Sequence, residues 1–161
     1  MDAELTNKSR DALNAATSRA VKDGHPDLTS GHLLLALLAG EDNANVTDLL
    51  AAVEADQVAV REETERFLGS LPSVTGSTVG PPQPSRDLLA VLADADQRAK
   101  ELGDDYLSTE HLLIAVAARG GRAGEILQAQ GASAEKLLDA FEKSRGGRRV
   151  TTPDPEGQYK A

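Results

Sequence analysis

Two histidines at matching places have the strongest claim on chemistry in this chain. His32 stands in Leu28-Thr29-Ser30-Gly31-His32-Leu33-Leu34-Leu35-Ala36 and His111 in Leu107-Ser108-Thr109-Glu110-His111-Leu112-Leu113-Ile114-Ala115. Imidazoles in the first turns of two helices could hold a metal or move a proton. A metal site would need a third ligand and a carboxylate behind each ring, and the spacing offers neither. A structural role fits better: a neutral ring spends one nitrogen on a local hydrogen bond and packs against the other half of the molecule. His25, beside Pro26, is a loop residue. Gly-x-Ser-x-Gly is absent, so hydrolysis has no support. Gly120-Gly121-Arg122-Ala123-Gly124 has neither the lysine nor the preceding strand of a phosphate loop and reads as a helix-helix turn. With no cysteine, thiolate catalysis, disulfides and cysteine-ligated zinc are all excluded. The expectation is a binding domain, not an enzyme, with no cofactor or metal.

The acidic turn Gly103-Asp104-Asp105-Tyr106, followed by Glu110, gathers carboxylates at one helix N-terminus, with Tyr106 and Leu5 as apolar neighbours. Two readings stay open. The acids could cap the helix and complement its dipole. Alternatively, they form the rim of a groove that takes apolar segments flanked by basic residues.

Both histidine segments belong to a duplicated unit. They are separated by 79 positions (111 − 32), and the same offset carries Leu13, Ala16, Arg19, Ala20 and Gly24 onto Leu92, Ala95, Arg98, Ala99 and Gly103. Farther on the offset falls to 77, pairing Leu49, Leu50, Ala52 and Val60 with Ile126, Leu127, Ala129 and Leu137. Such a repeat is one architecture. At 161 residues the chain suits one compact domain, and each half alone would bury too little apolar surface, so the halves should pack together.

The stretches after Thr6 and Ser85 have apolar residues at helical spacing and end at Gly24 and Gly103. Asp94 with Arg98, and Asp96 with Lys100, are four apart and read as a solvated face. Thr29 and Ser108 are N-caps for the two Leu-rich helices, which are apolar nearly all round and should form the buried centre. Asn45 with Asp48 resembles a capping box, and Asp56 and Ser133 can open the last helix of each half. Nothing reads as a strand. The expected fold is therefore all-α: eight helices as two pseudo-twofold-related four-helix repeats. The first repeat is assigned to residues 1–69, an interlobe linker rich in Gly, Pro, Ser and Thr to 70–84, the second repeat to 85–145 and a flexible linker to 146–161.

A net charge of −9 and 2% aromatic content argue against nucleic acid, leaving polypeptides as the expected partners. The basic cluster Arg145-Gly146-Gly147-Arg148-Arg149 is short and lies in the expected flexible linker. No apolar run approaches a membrane span, and the acidic start Met1-Asp2-Ala3-Glu4 is unlike a signal peptide, so a cytoplasmic location is expected.

Duplicated four-helix units, Ser-Thr-Glu-His-Leu-Leu at 108–113 and Leu5-Thr6-Asn7-Lys8 near the start make the chain similar to the N-terminal domain of the Clp family of AAA+ unfoldases, over about Leu5 to Arg145. Its linker, Leu71 through Leu88, resembles that of the disaggregase branch. The resemblance implies a module on a homohexameric parent, monomeric by itself, that captures unfolded or aggregated polypeptides. Adaptors or co-chaperones are further possible partners, and adaptor docking is the alternative function. It also implies substrate contacts at Thr6, Asp104 and Glu110, with Leu92 in the groove; Tyr106 joins this expected substrate site as the apolar neighbour of the acidic turn. ATP and magnesium would belong to ATPase modules outside this chain. Gly31 stands where the second repeat has Glu110, a departure from the branch that recognises phosphoarginine with acids in both repeats.

Overall fold

A computed structural model describes residues 3–39, 43–74 and 80–158. Eight helices carry the fold: α1 (Asn7–Lys22), α2 (Ser30–Leu38), α3 (Ala44–Ala52) and α4 (Gln57–Gly69), then α5 (Arg86–Glu101), α6 (Thr109–Arg119), α7 (Arg122–Ala129) and α8 (Ala134–Arg145). A further turn, α9 (Pro155–Gln158), follows. The all-α reading holds. No helix among the described residues is long and apolar enough to cross a membrane.

Six helices start where a hydroxyl or carboxylate side chain can satisfy an open backbone amide. Thr6, Thr29, Asp56, Ser85, Ser108 and Ser133 each accept from an amide in the first turn. Gly24 and Gly103, just past α1 and α5, have φ of 70° and 75°, the left-handed conformation that ends a helix at little cost to glycine. Asn45 is not a cap. The α3 cap is Asn43, and Asn45 lies inside the helix, where its side chain reaches Glu110.

At the centre lie α2 and α6. Leu33, Leu34, Leu37, Leu112, Leu113 and Ile114 are all fully buried. The two helices touch each other, and each is also wrapped by helices of both repeats: α2 by α1, α4, α5 and α7, and α6 by α5, α7, α8, α1 and α3. The solvated face assigned to α5 is corrected in part. Asp96 is buried and, besides Lys100, accepts the Ala3 amide at 2.7 Å. Asp94 does pair with Arg98, at 2.6 Å.

The expectation of no strand is also corrected. Two short parallel pairs are present, β1 (Glu4–Leu5) with β4 (Tyr106–Leu107) and β2 (Asp27–Leu28) with β3 (Gln83–Pro84). Glu4 faces Tyr106 and Asp27 faces Gln83. Adding 79 to Glu4 gives Gln83, and subtracting 79 from Tyr106 gives Asp27, so each ladder is the image of the other under the sequence repeat. Two-residue strands have no alternation to read, and they stitch each half to the other. Part of the assigned linker is thereby ordered: Gln83 and Pro84 sit in a ladder, and the Val74 amide donates to the Gly24 carbonyl at 2.7 Å. Gly76 lies outside the described residues.

Both central helices begin with the same imidazole device. In α2 the Thr29 amide donates to His32 Nδ1 at 3.0 Å, and in α6 the Ser108 amide donates to His111 Nδ1 at 2.8 Å. Each Nδ1 is therefore an acceptor and each Nε2 carries the proton. His111 Nε2 donates to Asp104 at 2.8 Å, and His32 Nε2 donates to His25 Nδ1 at 2.8 Å. His25, the repeat counterpart of Asp104, lies in a loop as expected and is buried there.

Burial, and after it the neighbouring His25, push the His32 pKa down to about 4. With a folded value below the unfolded one, the folded state binds fewer protons, so this contribution is whole above about pH 6.5 and shrinks as pH falls towards 4. The His32 ring signals should titrate near 4 by nuclear magnetic resonance, and the denaturation midpoint should drop over the same window.

Candidate functional site

The five residues assigned to a substrate site fall in different environments. Thr6 is fully buried, caps α1 and donates to Glu156 Oε2 at 2.8 Å. Leu92 is half-buried on α5 and packs on the core. Tyr106 is half-buried in β4, and its amide donates to the Val150 carbonyl at 3.1 Å. Only Glu110 of the five lines the cleft between α3 and α8.

Asp104 is corrected from rim to interior. Its oxygens accept from His111 Nε2 and Arg145 Nη1, both at 2.8 Å, from the Val150 amide at 2.8 Å, and from Arg145 Nη2. The side chain is 0% exposed. Arg145 grips it with two parallel bonds while its guanidinium lies 4.6 Å from the centre of the Phe141 ring, which in turn meets His111 edge-on. Burial alone would raise the Asp104 pKa, but the hydrogen bonds from Arg145, His111 and Val150 win and hold it far below the usual carboxylate range. All four of these bonds are internal, so Asp104 has no role at the rim in this arrangement.

The same contacts correct the flexible linker assigned to 146–161. From Arg148 to Glu156 the chain folds back over the second repeat, burying Val150, Pro155 and Glu156. Composition could not reveal this because the anchors are single residues spaced along a polar, Pro-containing stretch. Tyr159, Lys160 and Ala161 lie outside the described residues.

The cleft that remains is open and of mixed character, with a volume of about 180 Å³. From α3 come Asn45, Asp48, Leu49 and Ala52; from α8 come Ala140, Phe141, Ser144 and Arg145; Glu110 and Arg148 complete it. Glu110 is buried to 6% exposure; it accepts from Thr109 Oγ1 at 3.2 Å and, more weakly, from Asn45 Nδ2 at 3.4 Å. Acids thus stand on the α3 and α6 side and a base on the α8 side, over an apolar floor of Leu49, Ala52 and Ala140. A second hollow continues along α8 past Val53, Lys136 and Lys143.

The quasi-equivalent position in the other repeat is filled. Subtracting 79 from Glu110 gives Gly31, and subtracting 77 from Ser144 and Arg145 gives Phe67 and Leu68. A Cβ on Gly31 would sit 2.8 Å from Phe67 Cδ2 and 3.2 Å from Leu68 Cδ2. Glycine is required there because the Phe67 ring lies against the α2 backbone. One cleft is plugged by an aromatic ring, and the other is kept open by serine and glutamate. Asn45, Asp48, Phe141, Ser144 and Arg148 were not anticipated as site residues; the substitution of Phe67 by Ser144 across the repeat is the signal that could have found them.

Residues 4–130 match the family described as Clp repeat (R) N-terminal domain. The chaperone protein ClpB of Streptomyces albus G is 64% identical over 162 residues, covering 100% of this chain and 19% of its own length. The chain therefore spans about a fifth of such a relative. Among solved structures, the N-terminal domain of Hsp104 from Candida albicans superposes with a TM-score of 0.81 at 19% identity, covering 95% of this chain and 99% of that one. A ClpV N-domain in complex with a VipB peptide has a TM-score of 0.66 at 23% identity, covering 92% and 91%. At these identities the two structures share the fold.

Asp104→Ala would strand the buried Arg145 charge and should cost about 3–5 kcal/mol in thermal or denaturant unfolding, with partial recovery on adding Arg145→Met. Gly31→Ala should cost about 1–3 kcal/mol by overpacking, and Phe67→Ser in the same chain should remove most of that penalty.

Proposed function

The chain belongs to the family of Clp repeat N-terminal domains, and from this premise we propose that it is the substrate-capturing domain of an ATP-dependent disaggregase. In this reading it takes up exposed apolar segments of unfolded or aggregated polypeptides in the α3/α8 cleft and does no chemistry itself. ATP and magnesium would be used by ATPase modules of a longer, hexameric parent.

The reading rests chiefly on the open cleft. Its plugged counterpart shows that the same scaffold can fill this position with an aromatic ring, so the gap between Glu110 and Ser144 is a departure with room for a ligand. A shallow apolar floor suits side chains such as leucine or valine, whose burial stabilises each contact modestly. Glu110 and Asp48 would favour a basic residue at one end of the segment, with Arg148 and the α8 lysines favouring an acidic one at the other. The peptide bound to the ClpV N-domain lends support, since that domain has the same fold. Single-site affinity would be weak. Several such domains on one ring would compensate through effective concentration, because the first engagement confines the segment near the others.

Titrating the chain with an unfolded test protein should shift the amide signals of Asn45, Glu110 and Ser144. Glu110→Gln should weaken binding of segments with basic flanks by roughly 3–10-fold with little change for neutral ones. If the signals move only with a folded adaptor, the domain is a docking module instead.

A further inference from the structure

The stretch after α8 runs back over the molecule as an irregular strap that ends in α9 and is tied down at Val150, Pro153 and Glu156. The Val150 carbonyl accepts from the Asp105 amide at 2.8 Å and the Tyr106 amide at 3.1 Å. The Val150 amide donates to Asp104 Oδ1 at 2.8 Å, and the Pro153 carbonyl accepts from the Asn7 amide at 2.7 Å. Val150 itself is fully buried. This is how a bound peptide is held: backbone bonds in sequence, with one apolar side chain seated between them.

The strap ends in a carboxyl group placed where two helices begin. Glu156 is 0% exposed, and its Oε2 accepts from Thr6 Oγ1 at 2.8 Å and from the Thr109 amide at 3.2 Å. Thr6 caps α1 and Thr109 is the first residue of α6, so amides and dipoles of both helices favour an acidic oxygen there. The second oxygen, Oε1, is buried with no hydrogen-bond partner among the described residues. Glu110 adds its charge nearby, and burial, reinforced by that charge, raises the Glu156 pKa. Half of this carboxyl is well received and half is not, and an unpartnered buried oxygen makes a weak anchor.

We propose that the cradle formed by Thr6 and the N-terminus of α6 is a binding site for a carboxyl-bearing side chain on a peptide segment. Residues 148–156 of the chain occupy it as a tethered ligand that exchanges between docked and released states. Release uncovers the Thr6 hydroxyl and the Thr109 amide next to Glu110, a residue that lines the α3/α8 cleft. The strap requires nothing of the polypeptide-capture reading, because its exchange is measured with no polypeptide added.

Amide hydrogen exchange on the whole chain tests this at Asn7, Asp105 and Tyr106, whose partners all lie on the strap, with the amides of Leu113 to Val116 in α6 as the folding control. Glu156→Ala and Val150→Asp should each speed exchange at those three sites roughly tenfold or more while leaving α6 unchanged. Glu156→Gln keeps an oxygen for Thr6 and Thr109 and removes the ionisable group beside Glu110, so it should retain or increase protection. The proposal is overturned if the three amides keep their protection in both Glu156→Ala and Val150→Asp, or if Glu156→Gln opens them as far as Glu156→Ala does.

Discussion

Two helices with no polar face set the terms for everything else. Ser30–Leu38 and Thr109–Arg119 are buried almost along their whole length, and a helix apolar on every side needs neighbours on every side. The three other helices of one repeat cannot surround it, so each repeat borrows helices from the other. The mutual wrapping fixes where both N-termini lie, and each has an imidazole locked to the backbone of its cap residue. Placing the ionic centre at Asp104 and the cleft beside Glu110 follows from that, since both sit within a turn of the α6 start.

Much of this architecture was legible because duplication doubles every signal. The hydroxyl caps, the paired Leu-rich helices and the closing glycines each occurred twice at a fixed offset, and the offset even carries one β-ladder onto the other. What escaped was whatever depends on a single long-range contact. The strap has the composition of a linker, yet Val150 and Glu156 find sites prepared by residues 46 and 47 positions earlier. Asn45 has the spacing of a cap and serves instead as a bridge to Glu110. Asp104 stood between a structural and a rim reading in sequence, and only the arrival of Arg145 from α8 decides it.

The repeat in the sequence makes the differences between its two halves informative. The second repeat joins His111, Asp104, Arg145 and Phe141 into one charged cluster, whereas the first has His32, His25, Leu68 and Thr64 at the corresponding positions. In the first repeat Phe67 closes over Gly31, while in the second Glu110 lines an opening. Divergence after duplication has thus concentrated polarity and vacancy in one half and tight packing in the other.

The pairing of Glu4 and Leu5 with Tyr106 and Leu107 has a consequence for biosynthesis. A ribosome adds about 5–20 residues per second, so Glu4 and Leu5 wait roughly 5–20 s for the roughly one hundred residues that separate them from their strand partner. During that interval α2 lacks the part of its covering that α5, α6 and α7 supply. A nascent chain of this kind presents, for several seconds, the sort of greasy helix that protein-rescue systems exist to intercept.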